Sequence, residues 1–300
     1  MKKSLLKKFT ITHLFLILGG GLFIALLFIF LVVNHPTQSS IKSTSSTVTS
    51  QLSTTISTPL PTPTPKPTPL SFADMSKLYG PCVQLPTLMY HHIQDLGIAK
   101  TEGHASLTVD TKYFARDMQY LSDHGYSVLP MTSLISFFDN GTPIPKKSVM
   151  ITIDDGYDDF GTDAAPILAQ YHFPATLFVP TGLVENPGYL HWSTITSIAA
   201  SQPILMANHT WSHHNMEASL SVIQHEVTTA ETQLEQHGLD NPKVFAYPYG
   251  LTSPTAINFL NGQGFKLAFT TVYGNILCKQ QRLTLPRVRI GNAPLSSYGL

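Results

Sequence analysis

From residue 85 onward, short apolar runs alternate with longer segments whose apolar residues recur every three or four positions. The runs Leu85–Tyr90, Tyr126–Pro130, Ser148–Ile153, Ala175–Val179, Pro203–Asn208, Lys243–Tyr247, Leu267–Val272 and Leu285–Ile290 read as strands. Between them, Tyr113–His124, Thr132–Asp139, Asp163–Tyr171, Ser193–Ala200, Ser219–Gly238 and Pro254–Gly264 read as helices. In Ser219–Gly238 the residues Leu220, Ile223, Val227, Ala230 and Leu234 predict one buried face, with His225 and His237 facing solvent. Strand–helix alternation at this spacing predicts an α/β domain built on a parallel sheet. Internal repeats are not evident.

Before residue 72 the pattern is different. Residues 1–10 include four lysines and read as a basic cytoplasmic N-terminus. Residues 11–33 follow with no Asp, Glu, Lys or Arg, and these 23 residues are long enough to span a bilayer. Lysines ahead of the span predict the N-terminus inside and the rest outside. With no Ala-x-Ala site after Leu31-Val-Val, the span reads as an uncleaved signal anchor. The protein is thus expected to be a single-pass cell-membrane protein with an extracellular catalytic domain. Residues 34–71 read as a disordered linker, because 25 of the 35 positions from Pro36 to Leu70 are Ser, Thr or Pro. The catalytic domain is expected over residues 72–300.

Charge is balanced, with 18 basic and 18 acidic residues and no basic cluster in the globular part, which argues against a nucleic-acid partner. Of the two cysteines, Cys82 precedes the first predicted strand and Cys278 lies shortly before the last. An oxidising compartment permits a disulfide between them; two separate thiols is the other reading.

The chemistry gathers at strand ends. Asp154-Asp155-Gly156 closes the strand at Ile153, and His209-Thr-Trp-Ser-His213 follows the strand ending at Asn208. Each motif has a plain alternative: an exposed turn for the first, an incidental His pair on a helix turn for the second. Parallel barrels, however, collect catalytic groups at strand C-termini. Asp155, His209 and His213 can supply three ligands to a tetrahedral divalent cation, leaving one position for water and Asp154 free to take that water's proton.

Two further segments, Leu88-Met89-Tyr90-His91 and Phe245-Ala-Tyr-Pro-Tyr249-Gly250, complete a set of four that resembles the polysaccharide deacetylases, the NodB-homology or carbohydrate esterase family four. The order of the motifs is similar to the circularly permuted branch that includes poly-N-acetylglucosamine deacetylases. The resemblance covers roughly residues 85–290 and implies a distorted (β/α) barrel of seven or eight strands. It implies Asp155, His209 and His213 as metal ligands, zinc by default, and Asp154 as general base. It assigns the Tyr249 backbone N–H to the oxyanion and His91 to the general acid, since no Leu-x-Leu-His stretch follows residue 250. The family's arginine partner of the base is replaced by Ala246; Arg287 either fills that gap or is an edge-strand charge. Trp211 and Trp192 are candidates for stacking on sugar, with core packing the alternative reading. His92 and His214 are expected in supporting or structural roles, and His104, His124 and His172 on loops and helix ends.

The expected substrate is an acetylated polysaccharide, and the expected reaction is removal of N-acetyl groups from its N-acetylglucosamine units. O-deacetylation of the acetyl xylan esterase type and a non-catalytic glycan-binding domain are the rival readings.

Overall fold

The computed structural model describes residues 70–239 and 241–300. The expected membrane anchor, and the linker apart from its last two residues, lie outside these. No helix among the described residues is long and apolar enough to cross a membrane.

Twelve strands are present among the described residues: β1 (Cys82–Gln84), β2 (Thr87–Tyr90), β3 (His92–Ile93), β4 (Thr108–Val109), β5 (Ser127–Val128), β6 (Ser148–Ile153), β7 (Ala175–Val179), β8 (Ile204–Asn208), β9 (Val244–Ala246), β10 (Leu267–Tyr273), β11 (Ile276–Cys278) and β12 (Leu285–Arg289). The main sheet runs β2-β12-β10-β9-β8-β7-β6, all parallel, and pairing of β2 with β6 closes these seven strands into a ring. Short β5 pairs with the start of β6, at Ser127↔Ser148 and Val128↔Val149. The parallel sheet expected from the alternating pattern is observed, and it closes into a seven-stranded barrel as the resemblance implied.

Eight α-helices accompany the strands among the described residues: α1 (Phe72–Tyr79), α2 (Leu96–Glu102), α3 (Thr111–Asp123), α4 (Met131–Asn140), α5 (Ala165–Gln170), α6 (Trp192–Ser201), α7 (Leu220–Gln236) and α8 (Pro254–Gly262). The six expected from periodicity are α3 to α8. One begins irregularly: a π-helical turn over Phe160–Ala164 leads into α5, whose first turn contains Pro166. Proline has no N–H to complete an α-helical turn there. The elements not anticipated, α1, α2, β1, β3, β4 and β11, are too short to show a period.

Every residue of β6 is buried. Val149, Ile151 and Ile153 pack with Phe114, Met118 and Leu121 of α3 and Leu168 of α5. Met150 points the other way and joins Phe178, Ala207, Phe269 and Leu285. Burial on both faces explains why these strands read as unbroken apolar runs. Cys82 and Cys278 stand opposite one another in the antiparallel β1–β11 pair and form a disulfide that spans 196 residues. It lies beside the seam where β2, the first strand of the ring, meets β12, the last.

Candidate active site

The C-terminal end of β6 delivers two adjacent carboxylates with different partners. Asp154 is 2% exposed and meets Arg287, 0% exposed, through two bonds of 2.7 and 2.6 Å from Nη1 and Nη2. Arg287 also donates to the Thr270 carbonyl (3.0 Å) and to Thr152 Oγ1 (3.1 Å), so its planar fork is fixed at several points. The residue is a buried partner of Asp154 and not an edge-strand charge. Burial alone would raise the Asp154 carboxyl, but the guanidinium outweighs it and holds the group below its ordinary value.

Asp155 faces the two histidines. Its Oδ1 lies 3.3 Å from His209 Nε2 and 3.0 Å from His213 Nε2, and these three atoms all fall within 4.8 Å of one another. His209 Nδ1 donates to the Ala246 carbonyl at 2.7 Å, which turns Nε2 toward Asp155 as the ring nitrogen available to a cation. Asp155 Oδ1 is buried and receives no hydrogen bond. Three candidate ligand atoms thus converge, and the two separations from Asp155 are close to the ~3.3 Å edge of a tetrahedron with 2.0–2.1 Å bonds. A divalent cation placed among these atoms would supply the positive charge that the cluster calls for. Burial works against the Asp155 charge, yet the histidine interactions keep its carboxyl well below the usual range.

The backbone around these groups is unusual. Of the seven non-glycine residues with positive φ among the described residues, four are Asp155 (77°), Thr210 (68°), His213 (59°) and Tyr249 (60°). Left-handed backbone at such residues costs of order 1–3 kcal/mol each and persists only where neighbours enforce it. The enforcing contacts are visible. Asn208 Oδ1 accepts from Thr210 N at 2.8 Å, while its amide nitrogen bonds Glu231 (2.7 Å) and the Val227 carbonyl (3.1 Å) of α7. Glu226, also on α7, accepts from the backbone of Trp211 (3.1 Å) and Ser212 (2.8 Å) and from the Ser212 hydroxyl (2.7 Å). Residues 209–215 are therefore a clamped loop and not a helix turn. Sequence reasoning missed Glu226. The available signal was an acid set between Ile223 and Val227 on the face that the period marks as buried.

His91, half-buried, follows β2 directly. Burial pushes its imidazole below the ordinary value, against the upward pull of Asp154 and Asp155. Its neighbour His92 points elsewhere, to Asp159. Tyr249 sits in the turn Pro248–Gly250, with its ring 4.7 Å from that of His213. The expected ligands, base, acid and oxyanion residue thus gather at the C-terminal ends of β2, β6, β8 and β9, and Arg287 reaches them from β12. The tryptophans make other contacts. Trp211 covers Gly182, where a Cβ would stand 2.4 Å from its Nε1, and meets the His225 ring edge-on at 5.2 Å. Trp192, the first residue of α6, stacks flat on His237 at 4.0 Å.

Gly250 provides a check on the Tyr249 turn. With φ of 74°, it would place a Cβ 2.1 Å from Thr271 Oγ1, and Thr271 in turn donates to the Tyr249 carbonyl. Gly250→Ala is expected to cost about 1–3 kcal/mol through this overlap and to lower turnover by displacing Tyr249. Cation binding should be retained. Thermal denaturation, zinc titration and initial rates on one preparation test all three.

A parallel barrel that carries, at one end, a buried carboxylate–arginine pair beside an Asp-His-His cluster has the architecture of a metal-assisted hydrolase. Comparison with known proteins makes the class specific. Residues 141–268 match the polysaccharide deacetylase family profile. The solved structure of the Streptococcus pyogenes deacetylase PplD in complex with acetate is 30% identical, superposes with a TM-score of 0.64, and is covered over 92% of its chain by 69% of this one. The chain belongs to the polysaccharide deacetylase family. Among curated relatives, the poly-β-1,6-N-acetyl-D-glucosamine N-deacetylase of Escherichia coli is 26% identical over 251 residues, covering 69% of this chain but only 36% of that protein. The protein of the same name from Staphylococcus epidermidis is 24% identical over 199 residues, covering 62% of this chain and 68% of its own. The profile match ends before Arg287 and begins after His91, so these two residues come to the site from outside it.

Proposed function

We propose that this protein hydrolyses N-acetyl groups from N-acetylglucosamine units of an extracellular or cell-wall polysaccharide, with a divalent cation, zinc by default, held by Asp155, His209 and His213. The observation that carries the reading is the convergence of these three ligand atoms beside a carboxylate that Arg287 keeps ionised. The names of the Escherichia coli and Staphylococcus epidermidis relatives support poly-β-1,6-linked N-acetylglucosamine as the polymer. The basic and apolar pattern of residues 1–33 supports a membrane-anchored protein with its barrel outside the cell.

When bound, the cation supplies Lewis acidity toward a carbonyl oxygen and makes nearby water more acidic. The remaining work falls to the protein. Asp154 accepts the proton of the attacking water; each of its oxygens keeps a free lone pair beside the one given to Arg287. The Tyr249 N–H donates to the carbonyl oxygen as charge develops there. His91 donates a proton to the amide nitrogen as the C–N bond breaks, so that the amine leaves neutral. Acetate and a glucosamine unit result.

The test is acetate release by the full-length protein from N-acetylglucosamine oligomers and from O-acetylated xylan, with and without zinc. Zinc-dependent release from the N-acetylated substrate is expected. His209→Ala and His213→Ala should abolish both zinc content and release, whereas Asp154→Asn should keep zinc and lose release. Turnover confined to O-acetyl groups would replace this reading with the esterase. Retained zinc with no turnover on any acetylated glycan would replace it with a binding domain.

A further inference from the structure

A groove along the outer face of β10 and β12 reaches the catalytic end of the barrel, and no step above uses it. In a (β/α) barrel a helix normally follows each strand and covers that face. Here the chain passes from β10 through β11 and a 3-10 turn at Lys279–Gln281 before β12 begins, and α1 packs beside β11 instead. The substitution leaves a cavity of about 470 Å³, a size suited to a small ligand. Leu70, Met75, Val272, Tyr273 and Ile276 supply its apolar lining. The first four residues of β10 are buried, whereas its last three run on past the rim and leave Val272 64% and Tyr273 69% exposed.

The groove is continuous with the catalytic turn. Gly250, directly after Tyr249, lines it, and Thr271 donates to the Tyr249 carbonyl at 3.3 Å, which seats that turn on β10 just before Val272 and Tyr273. Thr270, also in the lining, accepts from Arg287 through its carbonyl. A polymer held at the Asp-His-His cluster therefore has this groove beside it. The lining selects what can enter. It contains no Asp, Glu, Lys, Arg or His, so a charged group would be buried there unpaired, at a cost. An exposed tyrosine ring offers a flat apolar face to the C–H side of a sugar ring. Asn275 and Gln281 carry amides that can meet hydroxyl groups, and the aliphatic residues suit an acetyl methyl. A neutral N-acetylated sugar meets all three conditions. A glucosamine unit, cationic once its acetyl group has gone, does not.

We propose that this groove holds a still-acetylated unit of the polymer, other than the one being hydrolysed, with Tyr273 as the residue that stacks on it. This rests on the N-deacetylase reading above. The experiment compares the full-length wild type with Tyr273→Ala and Asn275→Ala on β-1,6-linked N-acetylglucosamine, from the monomer to the hexamer. Tyr273→Ala should raise KM for the hexamer about 10-fold, with kcat and the rate on the monomer unchanged, the pattern of a lost remote contact. Calorimetry after chelation of divalent cations reads binding without hydrolysis. The hexamer should bind Tyr273→Ala about 10-fold more weakly than wild type, and a fully deacetylated hexamer should not distinguish the two proteins. Equal affinity of the acetylated hexamer for both would overturn the proposal and leave the groove to a lipid or to this chain's own linker. Equal losses on monomer and hexamer would overturn it too, since the ring would then be acting on the Tyr249 turn. Because Tyr273 is 69% exposed, its removal spares the core; should Tyr273→Ala still fail to fold, a weaker hexamer-only loss in Asn275→Ala decides the matter. If the wild type releases no acetate from any oligomer while the acetylated hexamer still binds through Tyr273, the N-deacetylase reading fails and the groove stands.

Discussion

Arg287→Leu is expected to remove nearly all turnover and to destabilise the barrel by about 3–5 kcal/mol, the usual cost of stripping one partner from a buried ion pair. Asp154 would be left 2% exposed with no counter-charge. Its folded-state pKa is depressed now, so the pair's contribution to stability is fully present above the unfolded value of ~3.9. That contribution is lost as the pH falls through the depressed value. Without Arg287 the sign reverses: burial raises the carboxyl, a proton is taken up closer to neutrality, and the base disappears. Residual activity of Arg287→Leu should therefore rise with pH over a range where the wild type is flat. Arg287→Lys keeps the charge without the fork and should fall between the two. Chemical denaturation at several pH values, paired with pH–rate profiles, measures both effects. Equal stability of wild type and Arg287→Leu at pH 7 would contradict the account.

The second large effect is expected at His91. His91→Ala should lower turnover on an N-acetyl substrate about 10²–10⁴-fold, the range for loss of a positioned acid, while zinc content stays unchanged. An activated acetyl ester, whose leaving group needs no proton, should lose far less. The alkaline limb of kcat/KM, which reports the protonated imidazole, should vanish in the variant. His92→Ala provides the contrast: its ring turns to Asp159 and Tyr157, so its effect on turnover should be far smaller than that of His91→Ala. A silent His91→Ala would mean that another group protonates the amine.

Much of the barrel was legible because period and burial coincide. The eight apolar runs became strands of one sheet, and the face predicted on α7 packs at Ile223, Val227, Ala230 and Leu234, whereas Leu220, at the start of the helix, is 48% exposed. The adjacent carboxylates and the two histidines were legible for a related reason: short motifs at strand ends keep their neighbours close in the chain. What was not legible depends on distance. Arg287 and Asp154 are 133 residues apart, and only closure of the ring decides that the guanidinium turns inward. His92 and Asp159, 67 residues apart, look like an ordinary loop histidine and a surface acid until β3 meets the turn before α5. The tryptophans show the converse. Their type suggested sugar stacking or core packing, and in the fold Trp211 lies against Gly182 and His225 and Trp192 against His237, each still partly exposed.

The disulfide changes how damage to the domain would look. Every proposed ligand and proton-transfer residue, from His91 to Tyr249, lies between Cys82 and Cys278. A protease that cuts once anywhere in that interval leaves two fragments still joined covalently. Such a nicked molecule migrates as a single species without reductant and as two with it. In any oxidising environment that holds proteases, one covalent clasp keeps a broken chain a single molecule.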